Sequence, residues 1–303
     1  MARRRKGKPI DGVLVVDKPP GISSNDVVQQ AKRMFNAQKV GHCGSLDPLA
    51  TGVLPLCFGE ATKFSQFLLD ADKAYWTRIR LGVTTETGDA DGQVIKETDA
   101  SAIDASEVEA ALAGFRGAIE QTPSMYSALK HKGQPLYKLA RQGIEVERQA
   151  RKVTIHSLEL EKLENCCVAL RVHCTKGTYI RSLAEDLGAA LGCGGHVTKL
   201  RRLEAGPYLE SQAVTLAALT EMDEQERQAC LLPASTAVCQ WPPVRLEANT
   251  AHYLMQGQPV QVGGAPAQGW VQIFESAEKQ RFLGVGEILS DGRVAPRRLI
   301  ASQ

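Results

Sequence analysis

The stretch Gly41-His42-Cys43-Gly44-Ser45-Leu46-Asp47-Pro48-Leu49-Ala50-Thr51-Gly52 combines glycine-rich backbone with a single carboxylate, that of Asp47. Because the ring of Pro48 disfavours helical backbone at the preceding residue, Asp47 is expected to be extended and to lie on a stiff loop. The pattern alone allows two interpretations. The carboxylate either bonds nearby backbone amides in an Asx-type turn, or it is a functional group that a rigid scaffold presents to a ligand.

The length and composition of the chain are those of a globular protein with about two domains. It has 303 residues, of which 43% are hydrophobic and 23% are charged. No apolar run approaches the roughly 20 residues that cross a bilayer, and the basic N-terminus lacks the apolar stretch of a secretory signal. We therefore expect a cytoplasmic protein that does not enter a membrane.

The cysteines and histidines favour reduced thiols over a metal centre. None of the eight cysteines forms a Cys-x-x-Cys pair, and the six histidines do not complete a zinc-binding pattern. The sequence also lacks a convincing phosphate-binding glycine loop. We expect neither a metal nor an organic cofactor.

Hydrophobic patterning predicts an α+β fold, with a mixed, mainly antiparallel sheet, flanking helices and a small β-rich C-terminal module. The strands of the main sheet are predicted at residues 12–17, 75–81, 153–163 and 168–174. Helices are predicted after the cap group at 23–26, from a capping box at 106–109, over 135–142, and from 180 to the stop at Gly192.

The C-terminal segment has its own pattern beyond a proline-rich stretch at residues 233–243. It predicts one helix and several short strands, namely 249–256 for the helix and 259–262, 270–274, 282–288 and 293–294 for the strands. The chain is therefore divided into a basic tail (1–10), a main domain (11–240) and a C-terminal module (244–303).

Positive charge is concentrated in a few segments. Between Lys130 and Lys152 there are seven Lys and Arg against two Glu. Other basic groups lie at 199–202, at 293–298 and in the N-terminal tail, whose role is either a solvated end or an arm that touches phosphates. Such clusters are typical of a surface for a polyanion, although charge runs also occur on ordinary solvated faces.

Three further residues have a functional interpretation beside a structural one. Arg181 follows the turn Lys176-Gly177-Thr178 where a strand passes into a helix, and it pairs either with a carboxylate in a cleft or with Glu185 on its own helix. Tyr75 is either a core aromatic or a platform on which a base stacks. The pattern favours a plain core position for Leu200.

The motifs together resemble those of the TruB-type pseudouridine synthases, the bacterial tRNA pseudouridine-55 synthases. The resemblance begins with residues 41–52, which match the catalytic loop, and it extends over nearly the whole chain in the expected order. The other matching stretches are Asp17-Lys18-Pro19, Ser23-Ser24-Asn25, 59–63, 123–128, 176–181, 200–203 and, for the small RNA-binding PUA-like module, Gly284–Leu299.

The resemblance implies a reaction in which uracil leaves ribose carbon 1′, rotates and is rejoined through its carbon 5. The target base must leave its stack, so base flipping is expected. Asp47 matches the catalytic aspartate, and Arg181 matches the arginine that keeps it ionised. Tyr75 matches the tyrosine that stacks on the base and is a candidate for moving the proton on carbon 5.

The resemblance also implies residues that bind the RNA substrate. His42 matches the histidine that approaches the RNA where the base has left, while Tyr179 and Leu200 match positions that line the uridine pocket. The remaining substrate-binding candidates are Lys18, Arg201 and Arg202, the last two as contacts to phosphates. Cys43 departs from the family, which usually has threonine there, and a thiol is the weaker hydrogen-bond donor.

The implied partner is the T stem-loop of tRNA, with no obligate protein partner and a monomeric enzyme. A rival interpretation is a non-catalytic RNA-binding protein or tRNA-folding chaperone, which would share the basic surface but would not need Asp47 or Arg181. A glycoside hydrolase is a second rival, but that chemistry generally requires a second carboxylate as general acid. No such partner is evident near these motifs in the sequence.

Overall fold

The computed structural model describes residues 7–127, 129–275 and 281–301. Most of the predicted basic tail, residues 1–6, lies outside the described residues. In the described part of the chain, the strands are β1 (Gly12–Lys18), β2 (Val40–His42), β3 (Thr51–Phe58), β4 (Lys73–Leu81), β5 (Val83–Thr85), β6 (Val94–Glu97), β7 (Gly117–Gln121), β8 (Lys130–His131), β9 (Gln134–Pro135), β10 (Arg151–Glu164), β11 (Cys167–Cys174), β12 (Gly195–Ala205), β13 (Tyr208–Leu209), β14 (Val214–Thr215), β15 (Pro243–Leu246), β16 (Gly269–Glu275), β17 (Phe282–Ile288) and β18 (Val294–Leu299).

The helices are short and lie between these strands. The α-helices are α1 (Ser24–Met34), α2 (Ser65–Asp70), α3 (Ala105–Ala113), α4 (Leu136–Ala140), α5 (Ile180–Ala190), α6 (Leu216–Glu221), α7 (Glu224–Ala229) and α8 (Ala248–Met255). Short 3₁₀ helices occur at Gly59–Phe64, Glu210–Gln212 and Ala234–Val238.

One large sheet dominates the main domain, with the strand order β14-β1-β3-β12-β4-β11-β10-β7. Only the β1–β14 and β3–β12 pairs are parallel. Apolar side chains of this sheet pack against α1, α3, α5 and α6 in one core, because each helix buries a stripe such as Leu183, Ala184 and Leu187 of α5. The predicted α+β class with a mainly antiparallel sheet is confirmed.

The loop that contains Asp47 joins two neighbouring strands of this sheet. β2 and β3 are antiparallel, and residues 43–50 connect them. Gly52 then allows β3 to run closely beside β12, since a Cβ at Gly52 would lie 2.2 Å from the backbone oxygen of Arg202. Its φ of +98° also favours glycine. The loop is therefore fixed at the centre of the sheet.

The C-terminal sheet has the order β15-β16-β17-β18 and its own small core with α8. Phe282, Trp270 and Trp241 pack against aromatic residues of the main domain. The predicted strand at 259–262 is wrong, because Val260 forms only an isolated bridge with Val294. The strand predicted at 293–294 is longer than expected, since it continues to Leu299.

The N-terminus of α3 also differs from the prediction. Asp104, not Ser106, is the N-cap, and its partner in the capping box is Glu107. Asp104 accepts hydrogen bonds from the backbone N–H groups of Ser106 and Glu107. Two overlapping capping-box patterns lie in this segment, and the earlier one places the apolar residues Val108 and Leu112 in the core.

Candidate active site

A cavity of about 300 Å³ lies between the Asp47 loop, β4, β12 and the start of α5. It collects most of the site residues that the sequence predicted. Asp47 is the only acidic residue among the described lining, which comprises Gly44, Ser45, Leu46, Asp47, Leu69, Lys73, Tyr75, Ser127, Thr175, Gly177, Thr178, Tyr179, Ile180, Arg181, Leu200 and Arg202. The cavity is large enough to be a small-ligand or base pocket.

Arg181 binds Asp47 at the edge of this cavity. The guanidinium Nε lies 3.0 Å from Oδ2 of Asp47. The side chain of Arg181 is only 5% exposed, whereas that of Asp47 is 41% exposed. The two other guanidinium nitrogens donate to the backbone oxygens of Thr87 and Tyr126, each at 3.0 Å. The arginine is thus held rigidly while the carboxylate remains open to the cavity.

The electrostatic environment of Asp47 has two opposing parts. Its burial in the cavity raises the pKa of the carboxyl above the ordinary range of aspartate, and the charge of Arg181 acts in the opposite direction. Asp89 adds a second negative charge near Arg181, with Oδ2 3.6 Å from the guanidinium Nη1. Arg181 is therefore the main group that favours the carboxylate form of Asp47, and the charge of Lys18 adds a smaller effect in the same direction.

Three side chains fix the backbone of the Asp47 loop. Ser24 both accepts from the N–H of Leu46 at 2.7 Å and donates to its carbonyl at 3.0 Å. Lys18 donates to the backbone oxygens of Pro19, Pro48 and Ala50 at 2.8 to 3.1 Å. Arg202 donates to the carbonyl of Gly44 at 3.1 Å.

The structure corrects the predicted role of Lys18. Its side chain is completely buried, and its ammonium points to three carbonyls and not into the cavity. Burial lowers the pKa of Lys18 to about 8. It cannot reach a substrate, so it is a positioning residue for the loop.

The predicted phosphate contact of Arg202 is also wrong. Arg202 is 1% exposed, and its Nε donates to the carbonyl of Val53 at 2.7 Å. It lines the floor of the cavity and does not reach the outer surface. Arg201 lies nearer the surface but forms a two-bond pair with Asp17 and a further ion pair with Glu210, so a phosphate would have to displace a carboxylate.

Two tyrosines, Tyr75 and Tyr179, line the cavity. Tyr75 comes from β4, and burial raises the pKa of its hydroxyl, with Arg202 acting against this. Tyr179 is the N-cap residue of α5. The side-chain amide of Gln121 binds both its backbone N–H, at 3.0 Å, and its backbone oxygen, at 3.3 Å. Both phenols remain neutral near pH 7, because burial also raises the pKa of Tyr179.

His42 and Leu200 differ in how they relate to the cavity. Leu200 is 8% exposed and forms part of its wall. His42, at the end of β2, is outside the lining, and its Nδ1 is buried without a hydrogen-bond partner among the described residues. Burial lowers the pKa of His42, so the ring is neutral at pH 7.

The sequence interpretation missed three residues that build the site. Asp89, Gln121 and Lys73 are all buried. Asp89 lies between β5 and β6, where no element was predicted, and Gln121 ends a strand that was not predicted. Lys73 donates to the carbonyls of Leu68, Leu69 and Ala71 at the cavity rim. Gln121 and Lys73 have no local sequence signal, and the only signal for Asp89 is the turn in which it lies.

Neither a candidate metal cluster nor a helix that could span a membrane occurs among the described residues. No group of three or more His, Cys, Asp and Glu side chains in ranges 7–127, 129–275 and 281–301 could hold a metal ion. In the same ranges, no helix is long and apolar enough to cross a membrane.

Family models match the chain in three consecutive blocks. Residues 32–180 match the N-terminal domain of the TruB family of pseudouridylate synthases. Residues 181–239 match the tRNA pseudouridylate synthase B C-terminal domain, and residues 242–300 match the C-terminal domain of pseudouridine synthase II TruB. The chain is also 54% identical over 297 residues to tRNA pseudouridine synthase B of Coxiella burnetii, which covers 97% of this chain and 96% of the relative.

The chain belongs to the TruB family of pseudouridine synthases. A second relative, tRNA pseudouridine synthase B of Pseudomonas aeruginosa, is 52% identical over 303 residues and covers 99% of each chain. Among solved structures, a Cbf5-Nop10-Gar1 complex matches with a TM-score of 0.71 and 27% identity, over 96% of this chain and 84% of that chain. The predicted family and its enzyme class, a synthase that converts uridine to pseudouridine, are thereby confirmed.

Proposed function

We propose that this TruB-family enzyme isomerises the uridine at position 55, in the T arm of tRNA, and that Asp47 is its catalytic carboxylate. The observation that carries the proposal is the ion pair between Asp47 and the buried Arg181 in a cavity that contains no other described acidic residue. The relatives named tRNA pseudouridine synthase B support tRNA as the substrate.

The cavity walls suit a uracil that has been flipped out of the RNA. Tyr75 offers an aromatic face for stacking, and Leu200 and Ile180 supply apolar surface that excludes water. Exclusion of water keeps the detached base in place while it rotates. The carboxylate of Asp47 then lies beside the sugar, and Arg181 keeps it charged.

The RNA outside the cavity is bound by basic surface in this proposal. The segment from Lys130 to Lys152 is rich in cations, and exposed members such as Lys130, Arg141 and Lys152 face solvent. These cations are placed to neutralise phosphates. His42, next to the Asp47 loop, takes the space that the flipped base vacates.

The enzyme acts on its own in the cytoplasm, where its tRNA substrate is made. The isomerisation consumes no redox equivalent and no nucleotide, so it requires no cofactor. We propose a monomer whose RNA-binding module is the C-terminal sheet, which packs on the main domain of the same chain.

The test is to incubate the pure protein with an unmodified tRNA transcript and to map pseudouridine along the whole molecule. We expect a single new pseudouridine, at position 55. Formation at another position, or no formation at all, would contradict the proposed site.

A further inference from the structure

A second cavity, here called the rear cavity, lies behind the Asp47 loop. It has a volume of about 510 Å³, and Leu200 lines both it and the active-site cavity. Leu49 and Thr51, which follow Asp47 in the chain, form another part of its wall. The Asp47 loop and β12 therefore border both cavities, and none of the residues that line only the rear cavity has a role in the proposed chemistry.

The rear cavity has an aromatic side chain in its wall. Trp76 lines it, and its indole Nε1 donates to Glu161 at 2.9 Å, which holds the ring in one orientation. Tyr75 and Trp76 are successive residues of β4, so their side chains leave opposite faces of the sheet. A fixed aromatic ring next to an apolar space is the usual platform for an unpaired base.

Two cations lie beside this platform, and the charge of one of them, Arg78, acts on Glu164. Lys199 lines the cavity and is directly opposite Arg78 in the β4–β12 pair. Neither forms an ion pair with a described residue, and Glu164 is bound to Lys162 at 2.6 Å. Like charges directly opposite each other are unfavourable in the free protein, so a bound phosphate would relieve this repulsion.

We propose that the rear cavity binds one unpaired nucleotide of the tRNA, from outside the hairpin that contains the target uridine. Its base stacks on Trp76, and its phosphate lies near Arg78 and Lys199. Asp91, the acidic residue of the lining, is placed to accept a hydrogen bond from an N–H of the base. A hairpin docked on the Tyr75 face presents its own nucleotides to that face, so the nucleotide on the opposite face comes from elsewhere in the tRNA.

The inference rests on the proposed function, because the RNA that fills the rear cavity is the substrate held at Asp47. It gives the rear cavity a role in distinguishing whole tRNA from an isolated hairpin. Pseudouridine formation in the hairpin tests the proposed function alone. Comparison of the Kd for full-length tRNA with the Kd for the hairpin tests the role of the rear cavity.

The experiment measures Kd for full-length tRNA and for an isolated T-arm hairpin, using the whole chain and Trp76→Leu. We expect the Kd for full-length tRNA to rise by about tenfold, as when one base–aromatic stack is lost. The Kd and the rate for the hairpin should stay within a factor of about two, which also shows that the variant is folded.

Lys199→Gln provides a second, electrostatic readout. The slope of log K against log salt for full-length tRNA should fall in magnitude by about 0.7 to 0.9, as when one phosphate contact is lost. Lys162→Gln is the matched control, because Lys162 is an exposed cation of β10 already paired with Glu164, and it should leave the slope unchanged.

Two results would overturn the proposal. One is unchanged binding of full-length tRNA by both Trp76→Leu and Lys199→Gln. The other is an equal loss of affinity for tRNA and hairpin, which would place these residues in the footprint of the hairpin. A hairpin that is not modified even by the unaltered protein would instead contradict the proposed function.

Discussion

The guanidinium of Arg181 contacts the carboxylate of Asp47, with Nε 3.0 Å from Oδ2. The side chain of Asp47 is 41% exposed, so the carboxylate remains accessible to a substrate. Because its other nitrogens bind the backbone oxygens of Thr87 and Tyr126, Arg181 does not need to move when substrate enters. The pair therefore presents a preorganised negative charge.

Removal of the Arg181 charge should shift the pH dependence of the reaction. The active form of Asp47 is the carboxylate, so the rate falls as pH falls through its pKa. Burial raises this pKa and Arg181 lowers it, so Arg181→Met should raise it further. We expect the acid limb of the single-turnover rate to move up by about 1–3 pH units.

Arg181→Lys is the matched control for that shift, because it keeps a positive charge but not the planar set of donors. Its acid limb should lie between those of the unaltered protein and Arg181→Met. An acid limb at the same pH in all three proteins would show that Arg181 does not control the ionisation of Asp47.

The buried ammonium of Lys18 should make stability depend on alkaline pH. Its pKa is lowered from 10.5 to about 8, so between these values the unfolded chain binds more protons and folding stability contributed by this group rises with pH. In Lys18→Met this contribution is absent. The free energy of unfolding of the unaltered protein relative to Lys18→Met should increase between pH 8 and pH 10.5 by up to about 3 kcal/mol. Chemical denaturation at several pH values measures it, and a flat or falling difference would contradict the assignment.

Gln121 should be required to place Tyr179. Its amide closes two hydrogen bonds with the backbone of Tyr179 at the start of α5. Gln121→Leu leaves these backbone groups without a partner and should lower the free energy of unfolding by about 1–3 kcal/mol. Gln121→Glu keeps the acceptor for the N–H and should be less harmful. Denaturant titration compares them, and equal stability of all three proteins would show that the two bonds are unimportant.

Arg202 should affect stability and leave the salt dependence of RNA binding unchanged. It is buried and donates to Val53 and Gly44, so Arg202→Met should destabilise the fold by about 1–3 kcal/mol. The salt slope of tRNA binding should not change, because no phosphate contact is lost. A slope reduced in magnitude by about one unit would support the phosphate contact that the sequence predicted for Arg202.

The sequence predicted the fold where local patterns and core packing agree. The strand at 282–288 and the helix that starts at Ile180 lie where their periodicity placed them. The predictions failed where two local signals competed, as at the Asp104 and Ser106 caps. They also failed at 259–262, where an apolar run found only a single bridging partner.

The Asp47 loop and Arg181 were predictable from the sequence, but the contacts of other charged residues at the site were not. A sequence motif does not show whether a lysine or an arginine points to solvent or to carbonyl groups, so the predicted roles of Lys18 and Arg202 did not include the hydrogen bonds by which both anchor the loop. Asp89 and Gln121 come from distant segments and meet Arg181 and Tyr179 only in the folded chain. Such contacts depend on strand register, which no short motif encodes.

The most direct test of the central role of Asp47 compares Asp47→Asn with Asp89→Asn, the carboxylate on the other side of Arg181. Pseudouridine formation and tRNA affinity are measured for both in single-turnover reactions. With Asp47→Asn we expect no detectable pseudouridine and tRNA binding close to that of the unaltered protein, and with Asp89→Asn a reduced but measurable rate. Turnover by Asp47→Asn at the rate of the unaltered protein would contradict the central role of Asp47.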